Sequence, residues 1–484
     1  MQITFSPPAK MSKVIKNTAY QLLGSVVSKV IGMFFVIVAG RSLGAEGYGN
    51  YSFVFTFTSF FAMMASFGLP IIATRELARR FEDQGLIIGD IIFLKAGLGV
   101  LAVVLCLIFA KIFGYRADLQ LGFRIVCIGL MVSFLDSYRP FFQATLQMQY
   151  NMYASVIQDV LLLISALYLA YIKAGFIPFV WAGLGCTLTA NMFLAFVGGR
   201  LVKPRFRFDK ERLTKFMLES FPLGLASFVV YVYYNADSIM LSKLSTMAEV
   251  GYYAVAYKFV FLGQVIPQAL INSLFPGFSH DVVHDRKKAE ERLELAFRLF
   301  CYVAFGMMIL GVLYHQNILT LLFGAKYLRS SGPLLVFSIS FIFMLPNILF
   351  SKYLVAAGKQ KYIFYVHLAS AALNVALNFY AIPKYGAVGA AITTMFSDMM
   401  VFFAFIYKIN VDIVDYKFNM SGLFLLALWC LILISFGLLV KLNLFLEIIL
   451  VTLAYFTYFN VKENHIISLR SEERRVGKEC RSRW

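Results

Sequence analysis

Ionisable residues fall inside long apolar runs of this sequence, among them Lys29, Asp136, Arg139, Asp159, Glu219, Asp237, Lys258, Lys352 and Asp398. A charge at the centre of a lipid-embedded helix costs at least ~2.5–3.5 kcal/mol, so each needs a partner, a polar cavity or a route to the interface. Lys29 is the sharpest case. It lies about 12 residues into its run, roughly 18 Å at 1.5 Å per residue, too deep to reach water readily. An ammonium held there can attract a phosphate. Lys258 is shallower and stands beside a run of tyrosines. Arg139 and Lys352 lie toward the ends of the fourth and tenth runs, where snorkelling to the interface would also account for them. Asp136 and Arg139, three apart, are spaced to neutralise each other. Asp237 and Asp398 are candidates for holding a small cation.

Neutral polar residues recur at helical spacing. One stripe holds Asn17, Gln21, Ser25, Ser28 and Gly32; another Ser220, Gly224, Ser227, Tyr231, Asn235 and Ser238; a third Tyr253, Tyr257, Gln264 and Gln268. Such stripes line a polar cavity or pack helices through small residues. Packing explains glycine and serine but explains Lys29 poorly. The substrate-binding set expected on this basis is Lys29, Gln21, Ser25, Asn235, Tyr257, Lys258, Gln264, Arg139 and Lys352.

Other chemistries have little support. His280 and His284, with Asp281 and Asp285, have metal-ligand spacing but no further cluster, and read as a solvated loop. Cys106, Cys127, Cys186, Cys301 and Cys430 sit within apolar runs without CxxC spacing. No Walker loop, nucleophile elbow, HExxH or dinucleotide fingerprint occurs. No enzymatic activity, metal or cofactor is expected.

The elements that must position these residues are transmembrane helices. The 484 residues are 60% hydrophobic and only 14% charged, with a mean hydropathy of +0.75; soluble chains have about 25% charged residues. Fourteen segments reach the ~20 apolar residues that a spanning helix needs: 17–40, 48–70, 86–113, 120–147, 151–173, 177–199, 216–241, 249–275, 292–315, 331–357, 361–383, 386–408, 419–440 and 443–461. The net charge of +18 resides mainly in alternate loops, which places both termini in the cytoplasm by the positive-inside rule and argues against a nucleic-acid partner.

The basic run Arg200–Lys215 carries seven cations near the middle of the chain. What precedes it is echoed after it. Ala45-Glu46-Gly47-Tyr48 is matched by Ala248-Glu249-Val250-Gly251-Tyr252, and Ala182–Thr189 by Gly386–Thr393, both at an offset near 204. The expected fold is an all-α polytopic membrane protein with two parallel six-helix bundles and an additional C-terminal helix pair. The expected domains are a cytoplasmic N-terminus (1–16), a bundle (17–200), a basic connector (201–215), a second bundle (216–408), the helix pair (419–461) and a tail (462–484). Met11 is an alternative start, and Ser471–Trp484 resembles a vector-derived tail foreign to the rest of the chain.

Lys16-Asn17-Thr18-Ala19-Tyr20, the turn Gly40-Arg41-Ser42-Leu43-Gly44-Ala45-Glu46-Gly47-Tyr48-Gly49, and Gly68-Leu69-Pro70 before Thr74-Arg75-Glu76-Leu77-Ala78-Arg79 resemble the polysaccharide-biosynthesis flippases. These include O-antigen-type flippases of the multidrug/oligosaccharidyl-lipid/polysaccharide exporter superfamily. The resemblance implies alternating access in the plasma (inner) membrane. It implies a polyprenyl-(pyro)phosphate-linked oligosaccharide as substrate, flipped from the cytoplasmic to the outer leaflet, with the bilayer and a glycan polymerase or glycosyltransferase as partners. A cation-coupled drug exporter of the same superfamily and a membrane polysaccharide polymerase or ligase are the alternatives. The exporter would favour an acidic cavity, and the enzyme a large external loop.

Overall fold

A computed structural model describes residues 7–80, 82–412, 427–435 and 455. These described residues are helical, without strands. Among the described residues nine helices are long and apolar enough to cross a membrane, and a tenth crossing is added if one bent pair counts as a span.

The helix α1 (Pro7–Ser66) is broken at Gly44, whose φ of 67° is left-handed. Sixty residues at 1.5 Å each extend about 90 Å, far beyond the ~30 Å hydrocarbon layer, so α1 is a doublet of two crossings. The helix α13 (Gln360–Asp412) is a second doublet, broken at Gly386 with φ 56°. Glycine suits both positions because other L-residues are strained there. Between the doublets run α2 (Leu69–Arg79), α3 (Gln84–Ile112), α4 (Ala117–Met131), α5 (Arg139–Ala144), α6 (Met148–Tyr171) and α7 (Phe176–Leu201). They are followed by α8 (Lys210–Leu244), α9 (Met247–Gly263), α10 (Val265–His284), α11 (Arg286–Phe323) and α12 (Ser331–Ala356).

The fourth expected span is not one straight helix. It is α4, a 3-10 turn at Ser133–Tyr138, and α5, bent by 45°. Pro140 sits in the first turn of α5, where a missing N–H costs nothing but an unbroken helix could not continue. The basic connector is also shorter than its charge suggests. Asp209 caps α8 by accepting from the Arg212 N–H at 3.2 Å, so Lys210–Lys215 are helical and only 202–209 link α7 to α8. That link is held down. The Arg205 N–H donates to the Gly85 carbonyl at 2.8 Å, and Arg212 grips the buried Asp90 through two nitrogens at 2.5 and 2.8 Å.

By contact density the chain forms two compact units. Among the described residues one comprises those within 7–265, 319–333 and 360–397, and the other 266–318, 334–359, 398–412, 427–435 and 455. In the first, α1 packs most extensively against α6 and α9. A ring cluster of Phe53, Phe57, Tyr115 and Phe123 fills its core, with Phe57 and Phe123 centroids 4.6 Å apart. Outward-facing Val100, Leu101, Val104 and Ile108 of α3 stay exposed, as a lipid-facing surface requires. In the second unit, Phe297 and Phe350 stack at 5.3 Å. The thirteenth and fourteenth expected spans lie outside the described residues except at 427–435 and 455, and the segment 471–484 and residues 1–6 lie outside them entirely.

Candidate functional site

Lys29 and Lys258, 229 positions apart in sequence, line one cavity of about 470 Å³ within the first unit. The cavity exists because the break at Gly44 returns α1 alongside itself. The arm before the break supplies Lys29, Gly32, Met33, Phe35 and Val36; the arm after it supplies Tyr48, Tyr51, Ser52, Phe55, Thr56 and Ser59. Leu162 of α6, Tyr231 of α8, and Phe261 and Leu262 of α9 complete the wall. Aromatic rings give that wall shape: Phe35 and Tyr51 centroids are 5.5 Å apart, and those of Tyr51 and Phe55 5.0 Å.

Both lysines are half-buried, and neither forms an ion pair among the described residues. Lys258 instead lies 5.6 Å from the Phe261 ring centroid, a cation–π contact that leaves its charge available. The lining has two ammonium groups, several hydroxyls and no carboxylate. Such a pocket suits an anion carrying hydroxyl groups.

The other expected residues are elsewhere. Gln21 and Ser25 are exposed and outside this lining, with the Ser25 hydroxyl donating to the Gln21 carbonyl at 2.8 Å. The Asn235 amide donates to the Tyr231 carbonyl at 3.0 Å. Tyr257 is buried, stacked 5.6 Å from Tyr253. Gln264, Arg139 and Lys352 are outside the lining too, and Lys352 lies 5.9 Å from the Phe275 ring in the second unit. The expected pairing of Asp136 with Arg139 is replaced by a pairing of Asp136 with Lys95 of α3, a nearly fully buried lysine. The pairing spans two helices and brings the Asp136 carboxylate to Lys95, 41 positions away, rather than to its neighbour three residues on.

The stripe 48, 51/52, 55/56, 59 is the part of the site that the spacing of polar residues did not single out. It has helical periodicity, but its tyrosines, serines and threonine are embedded among phenylalanines, so its polarity is diluted. Lys95, in the middle of the third run, was readable as another charge at membrane depth.

Asp237 forms a second, closed constellation in the first unit. Its Oδ2 accepts from the Tyr253 hydroxyl and the Thr394 hydroxyl, both at 2.6 Å, and its Oδ1 from the Asn378 amide at 2.6 Å. Asn378 also donates to Asn374 Oδ1 at 3.0 Å and accepts from Thr393 at 2.6 Å. Three neutral donors satisfy the carboxylate without a cation. The cluster offers a carboxylate, hydroxyls and amide oxygens around one buried point, the donor set a small hard cation accepts. Asp398, in the second unit, accepts from Ser340 at 3.1 Å. Among the described residues no three His, Cys, Asp or Glu side chains converge on a metal site.

The sequence pattern of the family described as polysaccharide biosynthesis protein matches residues 14–282, and that described as MatE matches residues 222–380. The chain is 24% identical over 402 residues to the "Putative O-antigen transporter" of Shigella flexneri, covering 78% of this chain and 94% of that one. It superposes on the lipid II flippase MurJ in an inward closed conformation with a TM-score of 0.76, at 15% identity, over 92% of this chain and 99% of that one. A multidrug resistance MATE family transporter in an inward-facing conformation superposes at 0.66, with 14% identity, over 79% and 94% of the two chains. The two matching family patterns and the apolar helices define a multi-pass membrane transporter of the flippase-containing exporter superfamily. Within it, the chain belongs to the polysaccharide biosynthesis protein family.

Proposed function

We propose that this protein flips a polyprenyl-(pyro)phosphate-linked oligosaccharide from the cytoplasmic to the outer leaflet of the plasma membrane, by alternating access, for surface polysaccharide assembly. The observation that carries this reading is the convergence of Lys29 and Lys258, neither ion-paired among the described residues, on one hydroxyl- and aromatic-lined cavity. Cations attract the phosphate, hydroxyls exchange hydrogen bonds with the glycan, and the polyprenyl tail stays in lipid. The carboxylate-free lining disfavours a cationic drug as cargo.

The two-bundle division at 17–200 and 216–408 is part of this proposal. It is supported by the direct packing of the two echoed turns against each other, around Gly49 and Gly251. Asp237 is the proposed coupling-ion site, with Asp398 as a second carboxylate. Cytoplasmic termini follow from the distribution of lysine and arginine. Glycosyltransferases supply the substrate, and a polymerase consumes it.

The test measures surface glycan export together with membrane abundance. Lys29→Gln and Lys258→Gln should each lower export at least tenfold at unchanged abundance, and Lys29→Arg should keep part of it because charge matters more than shape for a loosely held phosphate. Normal export by Lys29→Gln, or a loss proportional to protein level, would overturn the role of this cavity.

A further inference from the structure

A second cationic concavity lies away from the two cavity lysines. The helix α2 buries Leu69, Ile72, Ala73 and Leu77 and turns Arg75, Glu76, Arg79 and Arg80 toward α8. Its start is locked to α8 by close backbone approach. A Cβ on Gly224 would stand 2.7 Å from the Phe67 ring, and one on Gly68 2.7 Å from the Gly224 nitrogen. Beyond that lock the two helices border a cleft of about 600 Å³ whose charged lining is Arg75, Arg79, Arg80, Lys215, Glu76 and Glu219.

The charges do not balance. Arg75 pairs with Glu219 and, at 3.0 Å, with Glu76; Arg80 approaches Glu76 at 3.4 Å. Arg79 and Lys215 are exposed and form no ion pair among the described residues. Four cations against two carboxylates leave a surplus of two. A brace between helices would need only the paired groups. On the adjacent face of α8, Leu218 and Phe221 are exposed, and with Phe93 and Phe208 they border an apolar groove of about 340 Å³. A cationic cleft and an apolar groove thus share one helix.

We infer that this cleft is a loading site for the phosphate-bearing head of a lipid whose chain lies in the neighbouring groove, occupied before the substrate reaches the Lys29–Lys258 cavity. Guanidinium groups pair with phosphate oxygens bidentately, and Lys215 adds a point charge. The location rests on the cleft alone; the choice of a polyprenyl phosphate as ligand rests on the proposed function.

The probe is a C20 prenyl phosphate carrying a photoreactive group, added to the purified full chain in detergent, with labelled peptides mapped by mass spectrometry. Label is expected on α2 and the first half of α8. It should fall at least fivefold in Arg79→Gln/Lys215→Gln, two surface changes expected to leave the melting temperature unaltered. The matching prenol without phosphate should not label the cleft, and tenfold excess phosphatidylglycerol should not displace the phosphate probe. Undiminished labelling in the double variant, equal labelling by the prenol, or displacement by phosphatidylglycerol would each overturn the inference, the last by showing a general anionic-lipid site. Label confined to peptides lining the Lys29–Lys258 cavity would overturn it while sparing the proposed function. Label nowhere would remove both.

Discussion

Gly49 and Gly251 pack against each other with no room for a side chain. A Cβ on Gly49 would stand 2.9 Å from the Gly251 nitrogen and closer still to the Met247 carbonyl; one on Gly251 would stand 3.2 Å from the Gly49 nitrogen and closer still to the Ala45 carbonyl. The contact is reciprocal, and it joins the two turns that echo each other in sequence. Glycine lets the two backbones approach. Replacing either residue by leucine should therefore lower the melting temperature by several degrees or prevent folding, since overpacking a tight contact costs roughly 1–3 kcal/mol or more. Gly97→Ala, with nothing within 4 Å of the new methyl, should melt like the parent in the same fluorescence-detected assay.

The Asp237 cluster separates chemistry from stability. Asp237→Asn keeps the shape and can still hydrogen-bond Tyr253, Thr394 and Asn378, so the variant should fold. It loses the only charge in that cluster, and transport in proteoliposomes should no longer respond to an imposed cation or proton gradient. Asp237→Ala removes the acceptor that Tyr253, Thr394 and Asn378 share and should lose about 1–3 kcal/mol of stability. An unchanged gradient response in Asp237→Asn would remove Asp237 from coupling.

Glu249 joins α9 to the break in α13. Its Oε2 accepts from the Ala387 N–H at 2.8 Å, capping the helix that restarts after Gly386. Losing such a cap costs about 1 kcal/mol, so Glu249→Ala should melt a few degrees lower and Glu249→Gln should recover much of that. Gly386→Ala should be worse than either, because its φ is left-handed and the new methyl would stand 2.5 Å from Glu249.

Phe206 offers a test of orientation. It is exposed in the 202–209 link, so a cysteine there is within reach of a soluble reagent. With the basic side in the cytoplasm, an impermeant maleimide should label Phe206→Cys in opened cells and leave it unlabelled in intact cells. Labelling in intact cells would reverse the assigned topology.

The length and polarity of the apolar runs, read from the sequence alone, determined an all-helical membrane protein, and the depth of Lys29 in its run determined that it needs a cavity or a partner. Both are local properties: helix rise and bilayer thickness turn run length into a crossing. Periodicity also marked the stripes, but every helix has several faces, and the sequence does not say which one meets a neighbour. Tertiary structure decided that Lys258 joins Lys29 while Gln21 and Ser25 lie outside the lining, and that both arms of α1 contribute to the wall. It also decided that Asp136 pairs with Lys95, 41 positions away, and that Asp237 is satisfied by Asn378, 141 positions away. Such pairings depend on which helices become neighbours and where the breaks at Gly44, Val132 and Gly386 fall. No spacing within a single run encodes that.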